Sequence, residues 1–405
     1  TSLMTAPCGH RRYFDNAATS WPKAPPLAST MRRWVDLVAA SPGRGAYREV
    51  QEATEVMDRC RERLSSLIGA THSNSIVLTL NCTDALTLAI DGMARHARRS
   101  GRPVHMVTSM LDHNSILRPL HGLESDGVRM TVVPVDQQTG RIDPDDVSDA
   151  IESDTILVAM HHGSNVSGTL QPIAEIGARC RHHGVPFLVD AAQTLGRRHI
   201  HIDAMNIDLL AFPGHKSLLG PLGTGGLWIR PGLEDVIDPV RLGGTGSRSD
   251  LPVQPTELPD RYEAGSHNMP GIAGLDAALG WMLDQRESLF KREQCVTEWM
   301  LDRLLAIDNI QIIGPTTPDL RCAVFSLTCD HLSPFELADA LEAHDVLTRA
   351  GLHCAPFAHQ TFGTLDRGGT LRLSAGSLTT DDDVEAAMDA LATTVSQSTK
   401  VALAI

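Results

Sequence analysis

Short apolar runs alternate along this chain with stretches of helical periodicity, and that alternation restricts the fold more than any other feature. The runs are residues 76–80, 104–108, 130–133, 156–160, 185–189 and 209–212. Each reads as a strand, whereas segments such as 47–68, closed by Gly69, and 173–182 place apolar residues at helical spacing. Strands separated by helices pair in parallel, and the helices then cover the sheet. The expected fold class is therefore α/β with a mainly parallel sheet. Ligands of such sheets sit beyond the carboxyl ends of the strands, so the residues that follow each run are the candidates for chemistry.

Those residues are chemically varied. Asn81-Cys82-Thr83-Asp84-Ala85 leads from a strand into a helix, which gathers N–H groups, a hydroxyl and a positive dipole end suited to an anion. A plain N-cap at Thr83 is the alternative. Asp112-His113-Asn114, His161-His162-Gly163-Ser164-Asn165 and Asp190-Ala191-Ala192-Gln193 follow three further strands. Taken singly, Asp190 also reads as a helix cap, His113 as a satisfied loop histidine and Asn165 as a turn former.

The segment 208–228 carries the most specific signal. An apolar run ends at Pro213-Gly214, presents His215 and Lys216, crosses a Gly/Pro-rich turn and re-enters an apolar run at Gly226-Leu227-Trp228. A lysine enclosed by apolar sequence is partly desolvated, which disfavours its ammonium form and suits it to Schiff-base chemistry. One ligand uses all these strand ends: an anion at Thr83, a ring stacked on His113, a ring nitrogen held by Asp190 and an aldehyde carbon at Lys216. Pyridoxal 5'-phosphate has these parts.

Composition agrees with a small-molecule enzyme. The chain has 405 residues, and 35 Lys+Arg against 49 Asp+Glu give a net charge of −14. That sign argues against nucleic acid and against an anionic membrane as partner. No apolar run approaches membrane-spanning length and residues 1–12 lack the apolar core of a signal peptide, so a cytoplasmic protein is expected. The 8 cysteines show no Cys-x-x-Cys spacing, so neither a metal site nor a disulfide framework is expected.

Over nearly its whole length the sequence resembles the class V aminotransferase group of fold-type I pyridoxal-phosphate enzymes, and within it the cysteine desulfurases. The resemblance rests on Tyr-Phe-Asp-Asn-Ala-Ala-Thr (13–19), Asn-Cys-Thr-Asp-Ala (81–85), Asp-His-Asn (112–114), Asn-Val-Ser-Gly-Thr (165–169), Val-Asp-Ala-Ala-Gln (189–193) and Gly-His-Lys (214–216). It implies Lys216 as the lysine that carries the cofactor, Asp190 as partner of the ring nitrogen, His113 as the stacking ring and Gln193 as donor to the phenolic oxygen. Thr83 and His215 would hold the phosphate, with Cys82 beside them against the cofactor, and Asn165 would contact substrate or cofactor near the phenolic oxygen. Pro213 stands where relatives usually carry a Ser or Thr phosphate ligand, and offers neither hydroxyl nor N–H.

The C-terminal part carries the reaction type. Beyond a Pro-rich passage, Ser266 is the position that would reach a partner subunit's phosphate in a homodimer. Arg349-Ala350-Gly351-Leu352-His353-Cys354-Ala355 is similar to the loop of the sulfur-mobilising desulfurases and selenocysteine lyases, with Gly369-Thr370-Leu371-Arg372 at a matching distance. The resemblance implies Cys354 as the nucleophile that takes sulfur from L-cysteine as a persulfide, leaving alanine. Arg372 would clamp the substrate carboxylate through its guanidinium fork, and a sulfur-acceptor protein would discharge the persulfide. A C–S or C–Se lyase acting on cystine, selenocysteine or a thioether, or a transaminase, uses the same cofactor residues without needing Cys354. Residues 13–265 are expected to form a large pyridoxal-phosphate domain, with 1–12 and 266–405 in a smaller α+β domain of two long helices, a strand at 322–327 and helices at 334–343 and 380–395.

Overall fold

The structure, a computed structural model, describes residues 11–404 apart from Arg44, Ser249 and Leu251, with side chains to residue 400. Its large sheet has seven strands: β1 (Ile76–Thr79), β2 (His105–Ser109), β3 (Arg129–Val133), β4 (Thr155–His161), β5 (Phe187–Asp190), β6 (Leu209–Pro213) and β7 (Gly225–Ile229). They lie in the order β3-β2-β4-β5-β6-β7-β1. All neighbours are parallel except β7, which runs antiparallel to both β6 and β1. The reason is local: β6 and β7 are joined by the glycine-rich lysine loop without a helix, so the chain reverses there.

Both faces of the sheet are covered. Phe187, Val189, Leu210 and Phe212 enter one apolar cluster, while Leu188, Leu209 and Ala211 enter the other, as the two-residue period of a strand requires. Helix α1 (Arg48–Ile68) covers the first face through Val56, Met57, Leu64 and Ile68. Helix α2 (Cys82–Arg99) covers the second through Leu86, Ala89, Ile90 and Met93. Gly69 ends α1 at φ 73°, where a side chain is strained and a Cβ would also meet the His201 ring at 2.8 Å.

The start of α2 removes the alternative reading of Thr83 as a plain cap. Thr83 is not the N-cap; Asn81 is, its side chain accepting the Asp84 N–H at 2.9 Å, so Thr83 stands inside the first turn with its hydroxyl free of that duty. Helices α3 (Asn114–Glu124) and α4 (Ile173–His183) supply the crossovers from β2 to β3 and from β4 to β5. The chain order reverses between β2 and β4, which places the residues after these two strands at the crevice of the sheet.

Helix α5 (Met269–Asp284) lies on α1, where Asp276 takes Arg59 at 2.6 Å and Arg63 at 2.5 Å. The remaining chain builds an antiparallel sheet, β10-β11-β9-β8, from β8 (Ile310–Ile313), β9 (Val324–Cys329), β10 (Arg349–Gly351) and β11 (Thr370–Ser374). Helices α6 (Arg286–Leu305), α7 (Pro334–Glu342) and α8 (Asp381–Ala404) pack on it around Met300, Phe325, Leu371 and Leu391. Of this sheet the sequence pattern had marked only 322–327. The N-terminal arm crosses to it: Arg12–Tyr13 pairs in parallel with Val346–Leu347, and Asp15 bridges to Ser374. Residues 1–10, assigned from the sequence to the smaller unit, lie outside the described residues. No described helix is long and apolar enough to cross a membrane.

One buried ion pair ties the passage before α5 to the large sheet. Glu263 accepts the Leu78 N–H at 2.6 Å and Arg61 Nη2 at 2.6 Å, with both side chains buried. Removing one partner of such a pair leaves an uncompensated buried charge. Glu263→Ala is expected to lower unfolding stability by about 3–5 kcal/mol in equilibrium denaturation. The exposed Glu298→Ala should change it by under ~0.5 kcal/mol.

Candidate active site

Five strand ends converge on one cavity. Cys82 and Thr83 reach it from the start of α2, His113 from the turn after β2, Asn165 from beyond β4, Asp190 and Gln193 from the end of β5, and His215 and Lys216 from the loop after β6. Asn81, Ser115, His161 and Pro213 also line it. A glycine permits the close approach of two of these elements: a Cβ at Gly225 would sit 2.7 Å from the backbone of Asn81, so only glycine lets β7 carry the start of α2 against the lysine loop.

The lysine loop is held by its own backbone. The His215 carbonyl accepts Lys23 Nζ at 2.6 Å and, at 3.1 Å each, the Thr19 hydroxyl, the Ser20 hydroxyl and the Ser20 N–H. Ser217, next to Lys216, bonds the buried Arg197 Nε, and Arg197 Nη1 donates to the Ala375 carbonyl at 3.1 Å. The loop is thus braced from the N-terminal arm on one side and from the end of β11 on the other. Lys23, Arg197 and the role of Asp15 were not read from the sequence. Asp15 stood inside a quoted motif, whereas nothing local marks Lys23 or Arg197.

Burial sets the charges. Lys216 is half-buried, walled by protein and open only to the cavity; desolvation brings its amine down to about 8, with Asp190 opposing the shift. Burial pushes the Asp190 carboxyl up, against the Ala192 N–H and the Lys216 charge. The Ala192 N–H at 2.8 Å and Cys82 Sγ at 3.4 Å both go to Asp190 Oδ1. Burial also lowers His113 to about 4, helped by the charge of Lys216, so its ring is neutral. The Ser115 N–H donates to His113 Nδ1 at 3.0 Å, which leaves the hydrogen on Nε2. His215 is likewise brought to about 4 by burial and by Lys216. Gln193 Nε2 donates to the Ala17 carbonyl at 3.0 Å, while its Oε1 is buried without a partner.

Cys354 and Arg372 stand beside the cavity rather than among its lining. Cys354 is exposed, on a loop fixed at two carbonyls: Asn165 Nδ2 donates to His353 O at 2.6 Å and the Asn114 N–H to Cys354 O at 2.8 Å. Asn165 Nδ2 thus holds the cysteine loop, while the residue also lines the cavity where the sequence expects it to contact substrate or cofactor. Arg372 is buried, with Nη1 on Asn165 O at 3.0 Å and Nη2 on Asp15 Oδ1 at 2.8 Å. Asp15 also takes Arg349, from the strand that opens the cysteine loop, at 2.7 Å. Ser266 is exposed in a separate hollow with Arg241 and His267.

These residues fit pyridoxal phosphate on grounds of donors alone. The cavity holds an amine of lowered basicity, a buried carboxylate, a neutral imidazole, a helix start with a free hydroxyl, and buried polar atoms that have no intramolecular partner.

The aminotransferase class-V family model matches residues 12–387. A protein of Methanothermobacter thermautotrophicus named probable cysteine desulfurase is 32% identical, with 92% of each chain covered. The cysteine desulfurase IscS of Methanosarcina thermophila is 29% identical over 93% of this chain and 90% of its own. Among solved structures, the apo cysteine desulfurase of Thermococcus onnurineus NA1 superposes with a TM-score of 0.88 at 29% identity, covering 96% of this chain and 95% of that one. With the family pattern extending over almost every described element, and the strand-end residues gathered at one cavity, this chain belongs to the aminotransferase class-V family.

Proposed function

We propose that this protein is a cysteine desulfurase that binds pyridoxal phosphate, moves the sulfur of L-cysteine onto Cys354 and releases L-alanine. The observation that carries the reading is Asn165: it lines the lysine cavity, bonds the backbone beside Cys354 and receives Arg372, so one residue joins cofactor pocket, thiol and carboxylate clamp. Relatives named cysteine desulfurase support the same choice of reaction.

Bound pyridoxal phosphate supplies an aldehyde that captures amino groups and a ring that draws electrons from the captured Cα. The chain's residues do the rest. Thr83, His215 and the start of α2 would hold the phosphate, Ser266 would reach the phosphate of the other subunit in a homodimer, and His113 would stack on the ring. Gln193 would donate to the phenolic oxygen, Cys82 would lie against the ring, and Asp190 would keep the ring-nitrogen proton in place. Arg372 would hold the substrate carboxylate, with Asp15 fixing the guanidinium fork from behind. Lys216 would take the α-proton on Nζ, a transfer its lowered basicity suits.

Cys354 Sγ, as thiolate, then bonds to the substrate sulfur. The Cβ–S bond breaks, its electron pair stays on carbon and is taken up with a proton, and alanine forms as Cys354 becomes a persulfide. Exposure of Cys354 leaves that persulfide open to a cytoplasmic acceptor protein.

Incubating the loaded enzyme with L-cysteine should yield alanine and a mass gain of one sulfur on Cys354. Cys354→Ala should keep the cofactor's yellow colour and lose alanine formation; alanine at the wild-type rate, or pyruvate and ammonia in its place, would remove the desulfurase reading. Lys216→Ala should lose turnover by roughly 10²–10⁴.

The lowered Lys216 pKa fixes a pH dependence. Below about 8 the amine is an ammonium and cannot attack an aldehyde; above it the amine is free. The rate at which apo-protein captures pyridoxal phosphate should therefore rise roughly tenfold per pH unit up to about 8 and level off beyond it. Stopped-flow absorbance that climbed on toward pH 10 would mean an ordinary lysine. Pro213→Ser adds a hydroxyl to the cavity wall and should tighten the cofactor roughly tenfold, the ~1.5 kcal/mol of a hydrogen bond to a charged group, in equilibrium dialysis.

A further inference from the structure

His161, the last residue of β4, is buried and lines the same cavity as Lys216 and Asp190. Its ring is pinned: Nδ1 lies 2.8 Å from Asp112 Oδ1, which also accepts the His161 backbone N–H at 2.7 Å. Asp112 is fully buried, and its Oδ2 takes the Thr108 hydroxyl, the Ser109 N–H and the Ser109 hydroxyl at 2.8 Å each. Burial alone would push the Asp112 carboxyl up, yet the bonds from His161 and Thr108 hold it below its ordinary value. An ionised carboxylate only accepts, so Nδ1 carries a hydrogen and the ring cannot flip without losing that bond. Nε2 is left buried, with no partner among the described residues.

Native structures rarely leave such a nitrogen unsatisfied unless something outside the chain supplies the partner. The sheet register says where that partner lies. β4 and β5 pair with His161 opposite Asp190, so the two side chains stand on one face a strand apart, about 4.8 Å. His162, singled out with it in the sequence, is also buried but does not line the cavity.

Resting on the reading that the cavity takes pyridoxal phosphate, we propose that His161 is a further cofactor-binding residue. Its Nε2, left as an acceptor by the hydrogen on Nδ1, shares with Asp190 the proton of the pyridine nitrogen, and Asp112 is the positioning residue that fixes the imidazole for that contact. Asp112, His113, His162, Asp190, Cys82 and Lys216 are the titratable groups around it, so removing the imidazole changes the proton balance of the ring as well as its grip.

The test compares the wild type with His161→Phe, His161→Ala and His161→Gln, each loaded with pyridoxal phosphate. Dissociation constants are read by equilibrium dialysis and the proton balance by visible absorbance against pH. The phenylalanine and alanine variants should bind roughly tenfold more weakly, and their absorbance midpoint should move by about one pH unit. Glutamine, or imidazole added to the alanine variant, should restore part of both. His161→Phe keeps the ring's volume and covers a failure of the alanine variant to fold. Wild-type affinity and midpoint in His161→Phe would overturn the proposal, as would a lowered apo-protein melting temperature with the cofactor spectrum and affinity unchanged. A wild type that takes up no chromophore would instead overturn the cofactor reading, and this proposal with it.

Discussion

An amine at Lys216 and a carboxylate at Asp190 share one enclosed space, and each is charged at a cost that the other reduces. Burial lowers the basicity of Lys216 while Asp190 opposes the shift; burial raises the Asp190 pKa while Lys216 pulls it back. Desolvation wins in both, so the cleft holds its charges weakly. A ligand bearing an aldehyde and a basic ring nitrogen relieves both groups at once. Such a ligand would take up the free amine and offer the carboxylate a cation. His113 stays neutral for a related reason, because a further positive group beside Lys216 would raise the cost of charging its amine.

That arrangement needs elements far apart in the chain to keep their distances, and the N-terminal arm does much of the bracing. Its first strand residues pair with Val346–Leu347, Asp15 receives Arg349 and Arg372, and Thr19, Ser20 and Lys23 close on the His215 carbonyl. The arm therefore touches the cysteine loop, the carboxylate clamp and the lysine loop in succession. Burial brings Lys23 down to about 8, yet its three acceptors keep the amine engaged, so it acts as a clasp on the loop rather than as a second nucleophile.

How much of this could be read from the sequence divides along a physical line. Strands buried on both faces announce themselves as apolar runs, and the observed elements at 76–79, 155–161, 187–190 and 209–213 fall within a few residues of the expected ones. Their carboxyl ends supplied the cavity's residues for the same reason. The antiparallel course of β7 was not legible, because the direction of pairing depends on which neighbour a strand meets. Strands β10 and β11 went unmarked: a three-residue edge strand has almost no periodicity, and Arg372 interrupts the apolar pattern of β11 with a charge that only tertiary partners satisfy. Thr83 reads both as an anion ligand and as a cap because a hydroxyl at a strand-to-helix step is ambiguous. The side chain of Asn81 resolves it by taking the Asp84 N–H. The partnerships of Arg197 and Lys23 are made with backbone carbonyls, which leave no trace in side-chain identity.

The cysteine loop shows how an exposed thiol is nonetheless aimed. His353 and Cys354 both adopt left-handed backbone conformations, at φ 49° and 58°, each costing of order 1–2 kcal/mol for a side chain with a Cβ. A relaxed loop would avoid them. The conformation is held by Asn165 on the His353 carbonyl, by the Asn114 N–H on the Cys354 carbonyl and by His353 Nε2, which donates to the Thr370 carbonyl at 3.2 Å. Burial brings His353 down to about 2, so the ring stays neutral and keeps that tautomer over the working pH range. Each anchor belongs to an element that also carries a cavity or clamp residue: Asn114 follows His113, Asn165 lines the cavity, and Thr370 opens the strand of Arg372. The strain at Cys354 is thus sustained by the parts of the protein that would hold cofactor and substrate, and the backbone carrying the thiol keeps register with them.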